Sequence, residues 1–258
     1  MTKLTQSVFP SARRRFPSKV QSFSANGLAL AVLASGRLLA ASPTQVVSYD
    51  AIAIGAGEEF SIDGGGGSVD LQPLIVIDTG TLTFSPGFNG VLNLKNNALI
   101  VRSSPFNSIY GYVRNGFNNG AWNGTGGVNS STAAQDPTHL TALGIIDNSE
   151  AQYTTFAGHA LTTGVESLVV YTYYGDANLD GDVTLADFAL IGTGFGNNPW
   201  YHGDFDYSGA VDGTDYDLFN ASFQALHPGQ VPEPGSFALM ATAVASFGFR
   251  RRGKGSVF

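Results

Sequence analysis

Short apolar runs broken by turn signals dominate the middle of the chain. Leu74-Ile-Val-Ile77, Thr81-Leu-Thr-Phe84, Val91-Leu-Asn-Leu94 and Ala98-Leu-Ile-Val101 are separated by Asp78-Thr-Gly80, Pro86-Gly87, Asn89-Gly90 and Asn96-Asn97. Runs of this length, rich in β-branched residues and punctuated by Gly, Pro and Asn, predict strands joined by tight turns. Residues 43–172 are thereby expected to form one β-rich body, either a short-strand sandwich or a β-solenoid. Ser104-Pro105 supplies an N-cap and a first helical residue, with Ile109, Tyr112 and Val113 at helical spacing, which predicts one helix covering the sheet. Trp122 stands alone in the polar loop Asn118–Thr132, where it is expected to plug that loop onto the body. Ser167–Tyr174 reads as a further strand, and Asp63-Gly-Gly-Gly-Gly-Ser68 as a flexible connection.

Charge is segregated along the 258 residues. Between residues 42 and 235 lie all twenty acids but only Lys95, Arg102 and Arg114 among the bases, a net of −17. Such a body repels nucleic acid and attracts divalent cations. The chain has no cysteine, which excludes disulfides, thiolate catalysis and cysteine-ligated metals.

The basic ends have their own logic. Arg13-Arg14-Arg15 and Lys19 precede the apolar run Leu28–Leu33, and small residues follow at Ala40-Ala41-Ser42, the order of a secretory signal peptide over residues 1–42. At the other end Val231-Pro232-Glu233-Pro234 is followed by fifteen uncharged residues, Gly235–Phe249, and then Arg250-Arg251-Arg252-Gly-Lys254. Fifteen residues fall short of the roughly 20 of a comfortable span, yet the basic cluster holds the tail on the cytoplasmic side. Residues 231–254 resemble the PEP-CTERM sorting signal, with Pro232, Glu233 and Pro234 as its motif. The resemblance implies processing by an exosortase-type membrane protease, contact with the membrane through the C-terminal helix before processing, and a mature protein in the cell envelope, at the cell surface or in the extracellular matrix.

A repeat with a period of 28 residues runs from Tyr173 to Gln224. Asp176, Asn178, Asp180, Gly181, Val183 and Asp187 return as Asp204, Asp206, Ser208, Gly209, Val211 and Asp215. Oxygen side chains at positions 1, 3, 5 and 12 with glycine at 6 are the calcium-loop pattern, because an ion taking six to eight oxygens needs alternate side chains turned inward. The first loop is expected to ligate through the side chains of Asp176, Asn178, Asp180 and Asp187, the carbonyl of Asp182 and a water on Thr184. The second uses Asp204, Asp206, Ser208 and Asp215, the carbonyl of Ala210 and a water on Asp212. Val183 and Val211 are expected to face each other in a short β contact. Each unit is a loop with an exiting helix: Leu185 to about Ile191, with Leu185, Phe188 and Ile191 on one face, and about Thr214 to Leu226, with Tyr216, Phe219, Phe223 and Leu226 inward.

Residues 173–228 resemble a type I dockerin, down to the glycine before each loop, Gly175 and Gly203. The resemblance implies two calcium ions, folding coupled to binding, and attachment to a cohesin-like protein. Cohesin-recognising dockerins usually carry hydroxyl pairs at positions 10 and 11, where this chain has Leu185-Ala186 and Gly213-Thr214. The loop around Trp122, the following strand and the step into the repeat also resemble a region common in PEP-CTERM proteins with dockerin repeats. The expected fold is mainly β, then a small α dockerin-like two-calcium module, then a C-terminal transmembrane sorting helix. The expected function is that of a non-enzymatic calcium-binding surface protein acting in protein docking or exopolysaccharide association. The alternative is a dockerin-bearing polysaccharide-degrading enzyme with two catalytic carboxylates drawn from Glu58, Glu59, Asp63, Asp70, Asp78, Asp147, Glu150 and Glu166. No nucleophile elbow, zinc-protease helix motif or phosphate-binding loop occurs in the sequence.

Overall fold

The computed structural model describes residues 30–32, 37–40, 45–64, 75–85, 89–162, 164–193 and 198–229. Eight strands come first: β1 (Leu30–Val32), β2 (Arg37–Ala40), β3 (Gln45–Ile54), β4 (Glu59–Gly64), β5 (Ile75–Phe84), β6 (Val91–Asn93), β7 (Ala98–Val101) and, after helix α1 (Phe106–Phe117), β8 (Gly127–Asn129). Then follow α2 (Ser131–Ala134), β9 (Thr141–Asp147), α3 (Asn148–Ala151), the hairpin of β10 (Thr155–Phe156) and β11 (His159–Ala160), and β12 (Ser167–Tyr173). The repeat region adds α4 (Leu185–Phe188), a 3₁₀ turn (Trp200–His202) and α5 (Gly213–Leu226).

Successive strands alternate between two parallel ladders, β1-β3-β5-β7 and β2-β4-β6-β8, so each circuit of the chain adds one strand to each. Of the two arrangements expected, these ladders are those of a solenoid. The first ladder is extended by β12, antiparallel to both β7 and β9, and β9 forms its edge. Parallel strands covered on both faces read as continuous apolar runs, and alternate residues then go to opposite sides. Ile75, Ile77, Leu99, Val101 and Val169 join the main core, whereas Val76, Ala98, Ile100, Leu168 and Val170 form a smaller cluster with Phe156 of β10.

Three local expectations change. Asp78-Thr-Gly80 is not a turn but the middle of β5. Asp78 is buried and paired with Arg102, and a Cβ on Gly80 would sit 2.3 Å from the Asp50 carbonyl, so the glycine allows neighbouring coils to approach. Helix α1 starts at Phe106 with Pro105 at the cap, and Ser104 makes no cap bond; its Oγ instead accepts from the Leu82 N–H at 3.1 Å. The first exiting helix stops at Phe188, where the chain tightens into i→i−3 bonds from Leu190 and Ile191. Leu185 is therefore 45% exposed, and on α5 Tyr216 is also exposed, although Ile191, Phe219 and Phe223 are buried.

Other expectations hold. The Asn96-Asn97 corner turns the chain, and buried Asn97 pins it, its Oδ1 accepting from Ile75 N–H and its Nδ2 donating to the Leu94 carbonyl, both at 3.0 Å. Trp122 is 1% exposed and donates Nε1–H to Tyr174 Oη at 3.1 Å, which makes it the plug of its loop. Strands β1 and β2 lie inside the segment expected as a signal peptide. The rest of that leader, the glycine run 65–68, the Pro86-Gly87 turn and residues 230–258 with the sorting signal lie outside the described residues. No helix among the described residues is long and apolar enough to cross a membrane.

The apolar core crosses residue 172 without a break. Val183, Ile191, Trp200, Phe205, Tyr207, Phe219 and Phe223 belong to the same buried cluster as the solenoid interior and α1. The Trp200 ring lies so close to β9 that a Cβ on Gly144 would meet it at 2.8 Å, and Tyr207 donates its hydroxyl to the Leu143 carbonyl.

Candidate metal centre

The two loops are backbone copies. Gly175 and Gly203 have φ of 93° and 102°, Leu179 and Tyr207 both 57°, and Gly181 and Gly209 93° and 91°. Glycine is needed at 181 and 209 for the left-handed turn, while at 175 and 203 there is a second reason. A Cβ on Gly175 would fall 2.9 Å from the Phe219 backbone, and one on Gly203 would fall 2.8 Å from Ile191. Ile191 and Phe219 are themselves equivalent positions of the repeat, so each unit receives the other's entry glycine in a pseudo-twofold exchange.

Both loops end in a capping box. Thr184 and Asp187 form one at α4, and Asp212 and Asp215 form the other at α5. The side chains expected to act through water thus serve as helix caps: Thr184 Oγ1 accepts from Ala186 N–H at 3.1 Å and Asp212 Oδ1 from Thr214 N–H at 2.8 Å. Val183 and Val211 do not share a β contact through Val183, whose N–H bonds the Asp182 carboxylate at 2.8 Å and whose carbonyl meets His227 Nε2 at 3.0 Å.

In the first loop the carboxylates are held by internal donors. Asp176 accepts from Asp180 N–H at 3.1 Å, Gly181 N–H at 3.0 Å and the Thr172 hydroxyl. Asn178 Nδ2 donates to Asp180 Oδ2 at 2.9 Å, and Asp187 accepts from Asn178 and Thr184 N–H at 3.1 and 2.8 Å. Asp176 and Asp187 are fully buried. Burial pushes the Asp176 carboxyl up to about 8, with the Asp187 charge adding to the rise and the Thr172 bond opposing it. Burial raises Asp187 as well.

The second loop is more open. One oxygen from each of Asp204, Asp206 and Asp215 lies within 4.8 Å of the others, the one such group of potential ligands among the described residues. Asp215 accepts from Phe205 N–H and Asp212 N–H, both at 2.8 Å. Asp204 Oδ2 accepts from Gly209 N–H and the Tyr110 hydroxyl, each at 3.1 Å, but its buried Oδ1 has no hydrogen-bond partner. Burial pushes Asp204 up to about 6, opposed by the Tyr110 bond and reinforced by Asp215. Ser208 Oγ donates to the Ala210 carbonyl at 3.1 Å.

The sequence reading placed the two loops but missed the hydroxyls that hold their first aspartates. Thr172 precedes Asp176 by only four residues but lies outside the loop pattern, and Tyr110 lies 94 residues from Asp204, beyond any local spacing. Several acids named for an enzyme reading have other partners. Asp78 and Glu166 share the Arg102 guanidinium at 2.7 and 3.3 Å, His159 meets Asp78 at 3.0 Å, and Glu150 meets His202 at 2.7 Å.

Comparison with known proteins bears on the tail. Residues 230–252 match the PEP-CTERM protein-sorting motif. The chain is therefore an exported protein, sorted through its C-terminal tail to the cell envelope or surface, with its motif recognised by exosortase, a membrane protease. Neither the curated proteins nor the solved structures give a match to the chain.

Proposed function

We propose that each loop holds one calcium ion and that the chain is a non-enzymatic, calcium-stapled surface protein that works by binding. The first ion would be held by Asp176, Asn178, Asp180 and Asp187 with the Asp182 carbonyl. The second would be held by Asp204, Asp206, Ser208 and Asp215 with the Ala210 carbonyl. The observation that carries this reading is the orphan Asp204 Oδ1, buried without a donor beside oxygens of Asp206 and Asp215. A buried carboxylate oxygen with no partner carries a desolvation cost that a hard cation offsets, and oxygen donors suit calcium. Acid pairs raised by burial add support, since an ion that neutralises them favours folding.

Residues 173–228 act in this reading as a dockerin-like staple continuous with the body over 43–172. Association with exopolysaccharide is favoured over cohesin docking, because Leu185-Ala186 and Gly213 lack the hydroxyls that such docking usually employs. Calorimetric titration of the chelator-treated full chain with calcium tests the reading. Two binding events and a rise in melting temperature are expected; absence of calcium heat, with melting the same in calcium and chelator, would overturn it.

A further inference from the structure

The two ends of the solenoid are finished differently. At one end the edge strand β9 is sealed by side chains from further along the chain: the Leu143 carbonyl accepts the Tyr207 hydroxyl, the Asp147 N–H donates to Asn198 Oδ1 at 3.0 Å, and Trp200 lies over Gly144. At the other end, among the described residues, only β1 and β2 stand outside β3 and β4. Strand β1 pairs with Ala51, Ile52 and Ala53 alone, so residues 45–50 of β3 have no outer strand neighbour among the described residues. Both β1 and β2 lie within residues 1–42, the expected leader of a chain that is exported. Once that leader is removed, β3 and β4 are the outermost strands. Natural proteins usually shorten an open sheet edge or blunt it with lysine or proline. Strand β3 runs for 10 residues with neither, and its Val46 is 38% exposed.

We infer that this end is a docking surface for a second copy of the chain, bared when the leader leaves, and that the exported protein pairs end to end about a twofold axis. The edge accepts strands, since β1 and β2 each add to it in parallel. The Ile54 carbonyl accepts the Ser85 N–H at 2.9 Å on the β5 side, so alternation along the strand points the N–H and C=O groups of Ala51 and Ala53 outward. With the leader gone those groups have no strand partner, and they stand beside Ile52, Ile54 and Phe60, which end the apolar interior. Two ladders with an apolar section between them select the occupant. An extended peptide pairs with β3 or with β4 and leaves the other edge and the intervening apolar side chains open. A second copy related by a twofold normal to the sheets lays β3 against β3 and β4 against β4, antiparallel, and sets apolar end on apolar end, a contact that closes at two. Asp50, Glu58 and Glu59 lie in or beside these strands, so like charges oppose the pairing and added salt strengthens it. The inference rests on the removal of residues 1–42 as a leader, and not on calcium.

The test is sedimentation of residues 43–229, the form that loss of the leader and the sorting tail leaves, beside the same chain carrying residues 28–42. The shorter chain is expected to form a dimer that tightens with added salt, and the longer one to stay monomeric. Ala53→Pro deletes one outward N–H, and proline is tolerated on a free edge, so the variant should keep its far-ultraviolet spectrum while its dimer weakens about tenfold. Should that variant not fold, amide exchange on the parent decides, with the Ala51 and Ala53 N–H groups expected to gain protection as concentration rises through the dimerisation range. A monomer at every concentration overturns the inference, as does a dimer indifferent to residues 28–42 or exchange at Ala51 and Ala53 that ignores association. A chain that stays monomeric yet binds a synthetic peptide of residues 28–42 assigns the edge to an extended peptide and overturns the pairing of copies. Open-ended oligomers overturn it as well, because a twofold contact closes at two. An exported chain that keeps residues 30–40, read from its mass, rejects the inference at its premise.

Discussion

The two loops share a backbone but differ in how far they satisfy themselves. In the first, Asn178 closes onto Asp180 and three donors saturate Asp176. In the second, Asp206 and Ser208 replace that amide-carboxylate pair, and Asp204 keeps a buried oxygen without a donor. The difference teaches that a repeat conserves geometry more faithfully than chemistry. A cation entering the first loop must displace bonds already made, whereas in the second it meets converging oxygens, so the second loop should fill first.

The largest effect comes from removing both first aspartates. Asp176→Ala with Asp204→Ala is expected to abolish calcium-induced ordering of residues 165–230, read by far-ultraviolet dichroism and calcium heats. Of the single changes, Asp204→Asn should remove the tighter heat and Asp176→Asn the weaker; the reverse order would break the comparison. Trp200 is common to both loops, since its Nε1–H donates to the Asp176 carbonyl at 2.8 Å while its ring packs on Phe205 and Tyr207. Trp200→Ala should cost about 3–5 kcal/mol in denaturant unfolding and weaken both ions together. Weakening of one ion alone would mean the loops are independent.

A pH series without metal sharpens the contrast. Carboxyls raised on folding stabilise the native state most below their unfolded values, near 4, and lose that contribution as pH rises through the folded ones. Metal-free stability should therefore fall from about pH 4, with the Asp204 part complete just above 6 and the Asp176 part continuing to about 8. Asp176→Asn should remove the upper part of the fall, and saturating calcium should flatten the whole series; melting temperatures measured from pH 4 to 9 decide this. The smallest effect is that of Tyr110→Phe, which deletes one donor to Asp204. It should shift stability by about 0.5–1.5 kcal/mol and alter the second ion's affinity severalfold, leaving the first ion's unchanged.

Much of this molecule is legible in its sequence where the controlling interactions are local. Alternating apolar runs, the Asn96-Asn97 corner, the 28-residue repeat and α5 all announce themselves within a few residues or one period. The misreadings have non-local causes. Gly80 looks like a turn residue, yet its reason is the Asp50 carbonyl on the next coil. The first exiting helix looks long enough to reach Ile191, but the Gly192 N–H goes to the His202 carbonyl at 2.9 Å, and the chain tightens before that point. Tyr110 carries no local motif at all, since solenoid topology alone brings α1 beside a loop that lies far along the chain, whereas Thr172 stands four residues before Asp176 but outside the loop pattern.

The shared core also has a mechanical meaning. Any pull applied through the segment that follows α5 enters the body through that helix. Phe219 and Phe223 fasten α5 to the interior, and Trp200 and Tyr207 fasten the loops to β9. Load arriving from the tail is thus shared between two loops and a sheet edge, and the repeat resists as a keystone rather than peeling away like a tag.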